Sequence, residues 1–160
     1  IFRKLNVEEN IRAMLELQIG VDGRPLPAAR REELLEQLLL DLGIDKLRDS
    51  PAPALSGGER RRVEIARALA TQPRFILLDE PFAALGVEQT RRGLDMIKRI
   101  AAQGIGVIII THIMTQAFQV ADRIVVIRQG IVAGDVAAKK TSPDEVVRMI
   151  TGETVLSAAS

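Results

Sequence analysis

The sequence has no cysteine, no long apolar run and almost no excess of charge of one sign. The lack of cysteine excludes a disulfide-stapled scaffold. The apolar runs fall short of the roughly 18 residues that a membrane-spanning helix needs, so we predict no such helix. The 22 basic and 21 acidic residues give a net charge of +1, which offers no reason to expect a nucleic-acid partner. At 160 residues and 47% hydrophobic content, the chain is long enough to bury a core of its own.

The most informative motif is the pentapeptide Leu-Ser-Gly-Gly-Glu at residues 55–59. Ser56 followed three residues later by Glu59 predicts a capping box at the start of a helix. Gly57 and Gly58 each lower the stability of the helix by about 0.5–1 kcal/mol relative to alanine. Two such glycines at a helix start indicate that another group approaches the backbone closely. Open amide groups beside a hydroxyl at a helix N-terminus suit a phosphate. A capped helix with a flexible start is the alternative that this pentapeptide alone leaves open.

The second motif is a pair of acids at the end of a short apolar run. The run from Phe75 to Pro81 predicts a buried parallel strand that ends in the two carboxylates, and Pro81 stops further pairing. Side chains alternate along a strand, so Asp79 and Glu80 should point to different sides and take different roles. Carboxylates at a buried strand end are costly unless a cation or a reacting water needs them. A solvated acid pair between strand and loop is the alternative.

The third motif is His112, the only histidine of the chain. It follows Thr111 at the end of the apolar residues 106–110, which predict a second strand. Ligands of open parallel sheets bind at the carboxyl ends of the strands, so His112 is a candidate functional residue. A purely structural histidine is the alternative reading of this position.

In their order and spacing, these motifs resemble the ATPase subunits of ATP-binding-cassette (ABC) transporters. The resemblance implies an α/β fold of the P-loop NTPase type, with a helical subdomain and a partial parallel sheet flanked by helices. We expect residues 1–160 to form a single truncated ATPase domain, with the helical subdomain at 6–70 and part of the catalytic core at 72–160. The cofactors implied are ATP and Mg²⁺.

The resemblance also assigns roles to the motif residues. Ser56, Gly57, Gly58 and Glu59 form the signature motif, which contacts the γ-phosphate of an ATP held by the opposite subunit. The implied partner is therefore a second ATPase copy in a head-to-tail homodimer.

At the strand ends, the resemblance implies that Asp79 organises Mg²⁺ through water, that Glu80 polarises the attacking water, and that His112 senses the γ-phosphate. Gly86 stands where relatives carry an aspartate that couples the two sites, so this position lacks that carboxylate.

The 160 residues contain no G-x-x-x-x-G-K-[ST] segment. Phosphoryl transfer on this type of fold needs that backbone cradle and its lysine. We therefore expect the chain to be the carboxyl-terminal two-thirds of an ATPase domain, and we expect the isolated chain not to hydrolyse ATP.

The first half is most similar to the ATPases of lipopolysaccharide transport, whereas the second half resembles monosaccharide-importer ATPases. The implied function is coupling of ATP-driven dimer closure to transport, with lipopolysaccharide export as one candidate. The implied partners are transmembrane permease subunits docked on the helical subdomain. The implied location is cytoplasmic and peripheral, on the cytoplasmic face of the inner membrane.

Two alternatives are a solute-importer ATPase and a soluble ABC ATPase such as an iron–sulfur assembly scaffold. A degenerate, non-catalytic ATPase is a third. DNA-repair relatives would interrupt the segment between Glu59 and Asp79 with long insertions, and no nucleic-acid partner is expected. The run Arg60–Arg62 is interpreted as part of a helix face.

Overall fold

A computed structural model describes residues 1–20, 22–83 and 85–153 of the chain. These residues form two compact units, Ile1–Ile110 and Thr111–Ser160, and each unit is described by itself. The predicted division between a helical subdomain at 6–70 and a core at 72–160 falls within the first unit and stays a prediction.

The first unit begins with three packed helices, α1 (Val7–Glu16), α2 (Ala28–Asp41) and α3 (Gly57–Leu69). Two short 3₁₀ turns, Asp45–Leu47 and Ala52–Ala54, connect α2 to α3. Apolar residues at helical spacing bury one side of each helix. The most deeply buried side chains are Val7, Ile11, Leu15, Leu35, Leu39, Ile44 and Val63.

A fully buried polar residue, Asn10, fixes the start of the chain on α1. Its side chain accepts the Phe2 N–H at 2.7 Å and donates to the carbonyls of Phe2, Leu5 and Asn6 at 3.1, 3.3 and 2.8 Å. A buried amide is tolerated only when it is hydrogen-bonded in this way. Asn10 therefore determines the path of residues 2–6.

The rest of the first unit is a strand, a helix and a strand: β1 (Phe75–Asp79), α4 (Val87–Ala102) and β2 (Gly106–Ile110). The two strands are parallel, with Asp79 opposite Ile110 at their carboxyl ends. The strands and the crossover helix between them confirm the predicted α/β class.

The predicted burial of β1 holds for one face of the strand in the part of the chain that the structure describes. Ile76 and Leu78 are buried, but Phe75 and Leu77 are 63% and 56% exposed. The physical reason is the alternation of side chains along a strand: α4 packs on one face of the pair, and the other set of side chains points away from it.

The second unit contains α5 (Met114–Val120), β3 (Arg123–Arg128), β4 (Ile131–Ala137), a 3₁₀ turn (Ala138–Lys140) and α6 (Pro143–Thr151). The sequence predicts a hairpin of strands at 124–128 and 131–133 around a turn at Gln129 and Gly130, and β3 and β4 form an antiparallel hairpin there. The buried core of this second unit consists of Ile124, Val126, Ala138 and Val146.

Sequence reasoning placed the hairpin turn correctly but ended β4 at residue 133, four residues too early. Gln129 and Gly130 have positive φ angles of 49° and 79°, as a tight hairpin turn requires. The sequence predicts a frayed tail at residues 153–160, and residues 154–160 lie outside the described residues. Within the described ranges, the structure contains no helix both long and apolar enough to cross a bilayer.

Candidate functional site

Helix α3 begins with the predicted capping box. The Ser56 hydroxyl accepts the Glu59 N–H at 3.3 Å, and the Glu59 carboxylate accepts the Ser56 N–H at 2.8 Å. Hydrogen bonds from the Ser56 side chain and backbone lower the pKa of the Glu59 carboxyl below its usual value. Glu59 therefore stays ionised and folded back on the helix start, which fixes the geometry of the first turn.

The two glycines of this first turn differ in their surroundings. Gly57 is exposed, and a Cβ added there would meet no atom within 4 Å, whereas one at Gly58 would lie 3.7 Å from Leu85 and 3.9 Å from Gln89. Packing within the described chain therefore does not require glycine at position 57. The first amides of a helix have no intrahelical acceptor, so they are open to a group from outside.

The acid pair lies at the carboxyl end of β1, as predicted. Asp79 is exposed and Glu80 is half-buried. Glu80 has a φ of 41°, a left-handed conformation that a residue with a side chain rarely adopts. Its N–H donates to the Ile110 carbonyl at 2.9 Å, and the Asp79 carbonyl accepts from Arg61 Nη2 at 3.1 Å. Both ends of the peptide bond between the two acids are therefore held.

The loop after Glu80 is anchored by Phe82, which is 5% exposed. A Cβ added at Gly93 of α4 would lie 2.4 Å from the Phe82 ring, so only glycine lets the ring lie this close to the helix. At the start of α4, the Gly86 N–H donates to the Gln89 side chain at 3.0 Å. The loop that carries Glu80 is therefore seated on α4.

A cavity of about 190 Å³ lies between the start of α3, the loop after Glu80, and α4. Three arginines line it. Arg62 donates to the Leu42 and Gly43 carbonyls at 3.3 and 2.9 Å, and burial lowers the pKa of its guanidinium. Arg92 pairs with Glu88 at 2.9 Å. Side chains from α3, the loop after β1 and α4 thus meet in one pocket, whose lining also includes Glu59 and apolar residues such as Ile65 and Phe82.

Residues 60–62 lie in α3, and their side chains point in different directions, as those of consecutive helical residues do. Arg60 is exposed, Arg61 lies against the Asp79 carbonyl, and Arg62 caps the end of α2. Sequence reasoning also missed Gln89 and Gly93. The one available signal was a glycine inside a helix, which indicates close packing.

His112 belongs to the second unit and is exposed, two residues after β2 ends. Next to it, the Ile113 N–H donates to the Thr111 hydroxyl at 3.2 Å. The structure places Ser56–Glu59 and the acid pair in one unit, and the role of His112 stays a prediction.

The described residues contain no cluster of three or more histidine, cysteine or acidic side chains able to hold a metal. Mg²⁺ is commonly bound by one or two carboxylates together with substrate phosphates and waters. The exposed carboxylate of Asp79 suits that mode of binding, and the open amides at Gly57 suit a phosphate.

Comparisons with known proteins agree on one family. The family model described as "ABC transporter" matches residues 1–83. An uncharacterized ABC transporter ATP-binding protein of Rhizobium meliloti is 45% identical over 159 residues. The lipopolysaccharide export system ATP-binding protein LptB is 39% identical in Acidithiobacillus ferridurans and 38% identical in Escherichia coli K12. These matches cover 94–96% of this chain but 55%, 60% and 62% of the three relatives.

Solved structures give the same result for the fold. The chain of an ABC transporter of metal-chelate type, in an inward-facing conformation, superposes with a TM-score of 0.79 at 23% identity. That match covers 94% of this chain and 59% of the other. An ATP-binding cassette of another ABC transporter gives a TM-score of 0.74 at 26% identity, covering 92% and 63%.

Proposed function

The chain belongs to the ABC transporter family, and on that premise we propose that it forms part of the subunit that binds and hydrolyses ATP. The observation that carries the proposal is the arrangement of two motifs within one unit. The start of α3 leaves the space above Gly57 open, and the end of β1 carries an exposed Asp79 beside a fixed Glu80. The first suits a phosphate and the second suits a metal and a water.

In the proposed mechanism, two copies associate head to tail around two ATP molecules. Ser56, Gly57 and Gly58 of one copy bind the γ-phosphate of the nucleotide held by the other, and Glu59 fixes the turn that presents them. Bound Mg²⁺ would neutralise charge on the phosphates, with Asp79 orienting it through water. Glu80 orients the attacking water and accepts its proton, and His112 contacts the γ-phosphate.

Positioning and charge stabilisation dominate phosphoryl transfer, so closure of this clamp would account for catalysis. Because each nucleotide lies between copies, ATP binding stabilises the dimer and hydrolysis releases it. We propose that permease subunits dock on the predicted helical subdomain at residues 6–70. They would convert this cycle into transport at the cytoplasmic face of the membrane.

The 160 residues contain no G-x-x-x-x-G-K-[ST] segment, so we propose that they do not hydrolyse ATP by themselves. The direct test is ATP turnover by the isolated chain with and without Mg²⁺. Turnover that disappears in Glu80→Gln would contradict this part of the proposal.

We propose lipopolysaccharide export as the transport process, because the LptB proteins match 94–96% of the chain at 38–39% identity. The test is depletion of the gene product that carries these residues in its own bacterium. Lipopolysaccharide should accumulate in the inner membrane, and Arg60→Met but not Glu80→Gln should restore export. A defect confined to solute uptake would support an importer, and loss of iron–sulfur enzyme activity would support the soluble scaffold instead.

A further inference from the structure

We propose that Arg61 is a positioning residue that links the start of α3 to the acid pair within one copy of the chain. This inference rests on the proposed function, because it gives Arg61 a part in orienting Glu80. Arg61 lies four residues after Gly57, so both belong to the beginning of the same helix. Its guanidinium reaches β1, where Nη2 donates to the Asp79 carbonyl at 3.1 Å.

A second contact fixes the direction of the Arg61 side chain. Nη1 pairs with the Glu64 carboxylate at 3.0 Å, one helical turn further along α3. The planar guanidinium presents its donors in a rigid fork, so holding one nitrogen also aims the other. Glu64 therefore directs Nη2 of Arg61 towards the strand end.

The acceptor of this hydrogen bond is part of the peptide unit that joins the two acids. The carbonyl of that unit belongs to Asp79, and its N–H belongs to Glu80 and donates to Ile110 at 2.9 Å. This peptide group is thus held by α3 on one side and by β2 on the other. No other peptide orientation would keep both bonds, so the two together define the backbone from which the Glu80 side chain projects.

This support matters because Glu80 is in an unfavourable conformation. Its φ of 41° is left-handed, and such a residue persists only where its surroundings hold it. If α3 moves when its first turn binds phosphate, Arg61 carries that movement to the Asp79 carbonyl. The link therefore connects phosphate binding at one site of the dimer to the orientation of the carboxylate used at the other.

The experiment compares Arg61→Met with Arg61→Lys and with Arg60→Met. Methionine keeps part of the aliphatic stem but has no donor, and lysine keeps a donor. Arg60 is the exposed neighbour, so Arg60→Met controls for the lost charge. The first readout is amide hydrogen exchange in the 160-residue chain, which needs no ATPase activity.

We expect the Glu80 amide to exchange about 2- to 10-fold faster in Arg61→Met, as the net strength of one hydrogen bond implies. Amides of Val63 and Ile65, in the middle of α3, should keep their rates. Arg61→Lys should restore much of the protection, and Arg60→Met should change nothing. Unchanged exchange at Glu80, or equal acceleration throughout α3 in both Arg61 variants, would overturn the proposal.

The second readout is ATP hydrolysis by the gene product that carries these residues. Arg61→Met should lower kcat about 2- to 10-fold and leave KM for ATP unchanged, with partial rescue by lysine. An active wild type whose kcat is unaffected by Arg61→Met would refute the link. An inactive wild type would refute the proposed function instead, and the exchange experiment would still decide the role of Arg61.

Discussion

Gly93→Ala tests whether the loop after Glu80 rests on α4, because two opposed effects on stability meet at this position. Alanine is favoured over glycine inside a helix by about 1 kcal/mol. The added Cβ, however, would lie 2.4 Å from Cε1 and 3.0 Å from Cδ1 of the Phe82 ring. The ring is 5% exposed, so it can move only by disturbing its neighbours, and such overpacking costs about 1–3 kcal/mol.

The two effects together predict that Gly93→Ala lowers the free energy of unfolding by about 0–2 kcal/mol. At an unobstructed helix position, the same change would raise it by about 1 kcal/mol. The assay is equilibrium urea unfolding of the 160-residue chain, read as a lower midpoint with an unchanged slope. Phe82→Leu supplies the second arm, since a smaller side chain leaves room for the Cβ. The double variant should be more stable than the sum of the single effects by about 1 kcal/mol.

A gain of stability in Gly93→Ala, or strict additivity in the double variant, would refute the reasoning. Either result would mean that the ring does not rest on this glycine. The loop that carries Glu80 would then need another anchor.

Three further predictions concern other parts of the first unit. Gly57→Ala should leave the free energy of unfolding unchanged or raise it by up to about 1 kcal/mol, yet weaken ATP-dependent dimerisation. If the variant lost both stability and dimerisation, Gly57 would be a structural glycine instead. Asn10→Ala should cost about 1–3 kcal/mol in urea unfolding because buried backbone groups lose their partners, and a neutral effect would contradict the role given to Asn10. Arginine partners in α4 lower the pKa of Glu88 from 4.5 to about 2. Since the folded pKa is the lower one, this stabilisation is present above pH 4.5 and is lost towards pH 2. An NMR titration of Glu88 with a midpoint near 4.5 would refute this pairing.

The parts of the site that sequence reasoning predicted are local in the chain. The capping box of Ser56 and Glu59 spans four residues, and its pattern fixes both hydrogen bonds. The acids at the end of β1 follow from an apolar run that stops at Pro81. In both cases, neighbouring residues contain all the information that the geometry needs.

The parts that sequence reasoning missed depend on packing between distant elements. Arg61 and Asp79 are 18 residues apart, and no local pattern indicates that the guanidinium reaches that carbonyl. The contact of Phe82 with Gly93 needs the angle at which α4 crosses back over the strand. The exposed face of β1 was misjudged for the same reason, because an apolar run alone does not show how many faces are covered.

In the proposed dimer, the start of α3 and the end of β1 act on the same nucleotide only when they come from different copies. The direct test is mixing of two inactive variants, Gly57→Asp and Glu80→Gln, of the gene product that carries these residues. In a mixed dimer, one site combines an intact Glu80 with an intact α3, and the other site carries both defects.

If dimers reassort at random, an equal mixture should recover up to about a quarter of the wild-type ATPase rate, since half of the dimers are mixed and each has one intact site. The link through Arg61 lowers the rate of that site, because its own α3 carries Gly57→Asp. Each variant alone should stay inactive. A mixture as inactive as its components would contradict the account, because the two motifs would then have to serve a nucleotide within a single copy.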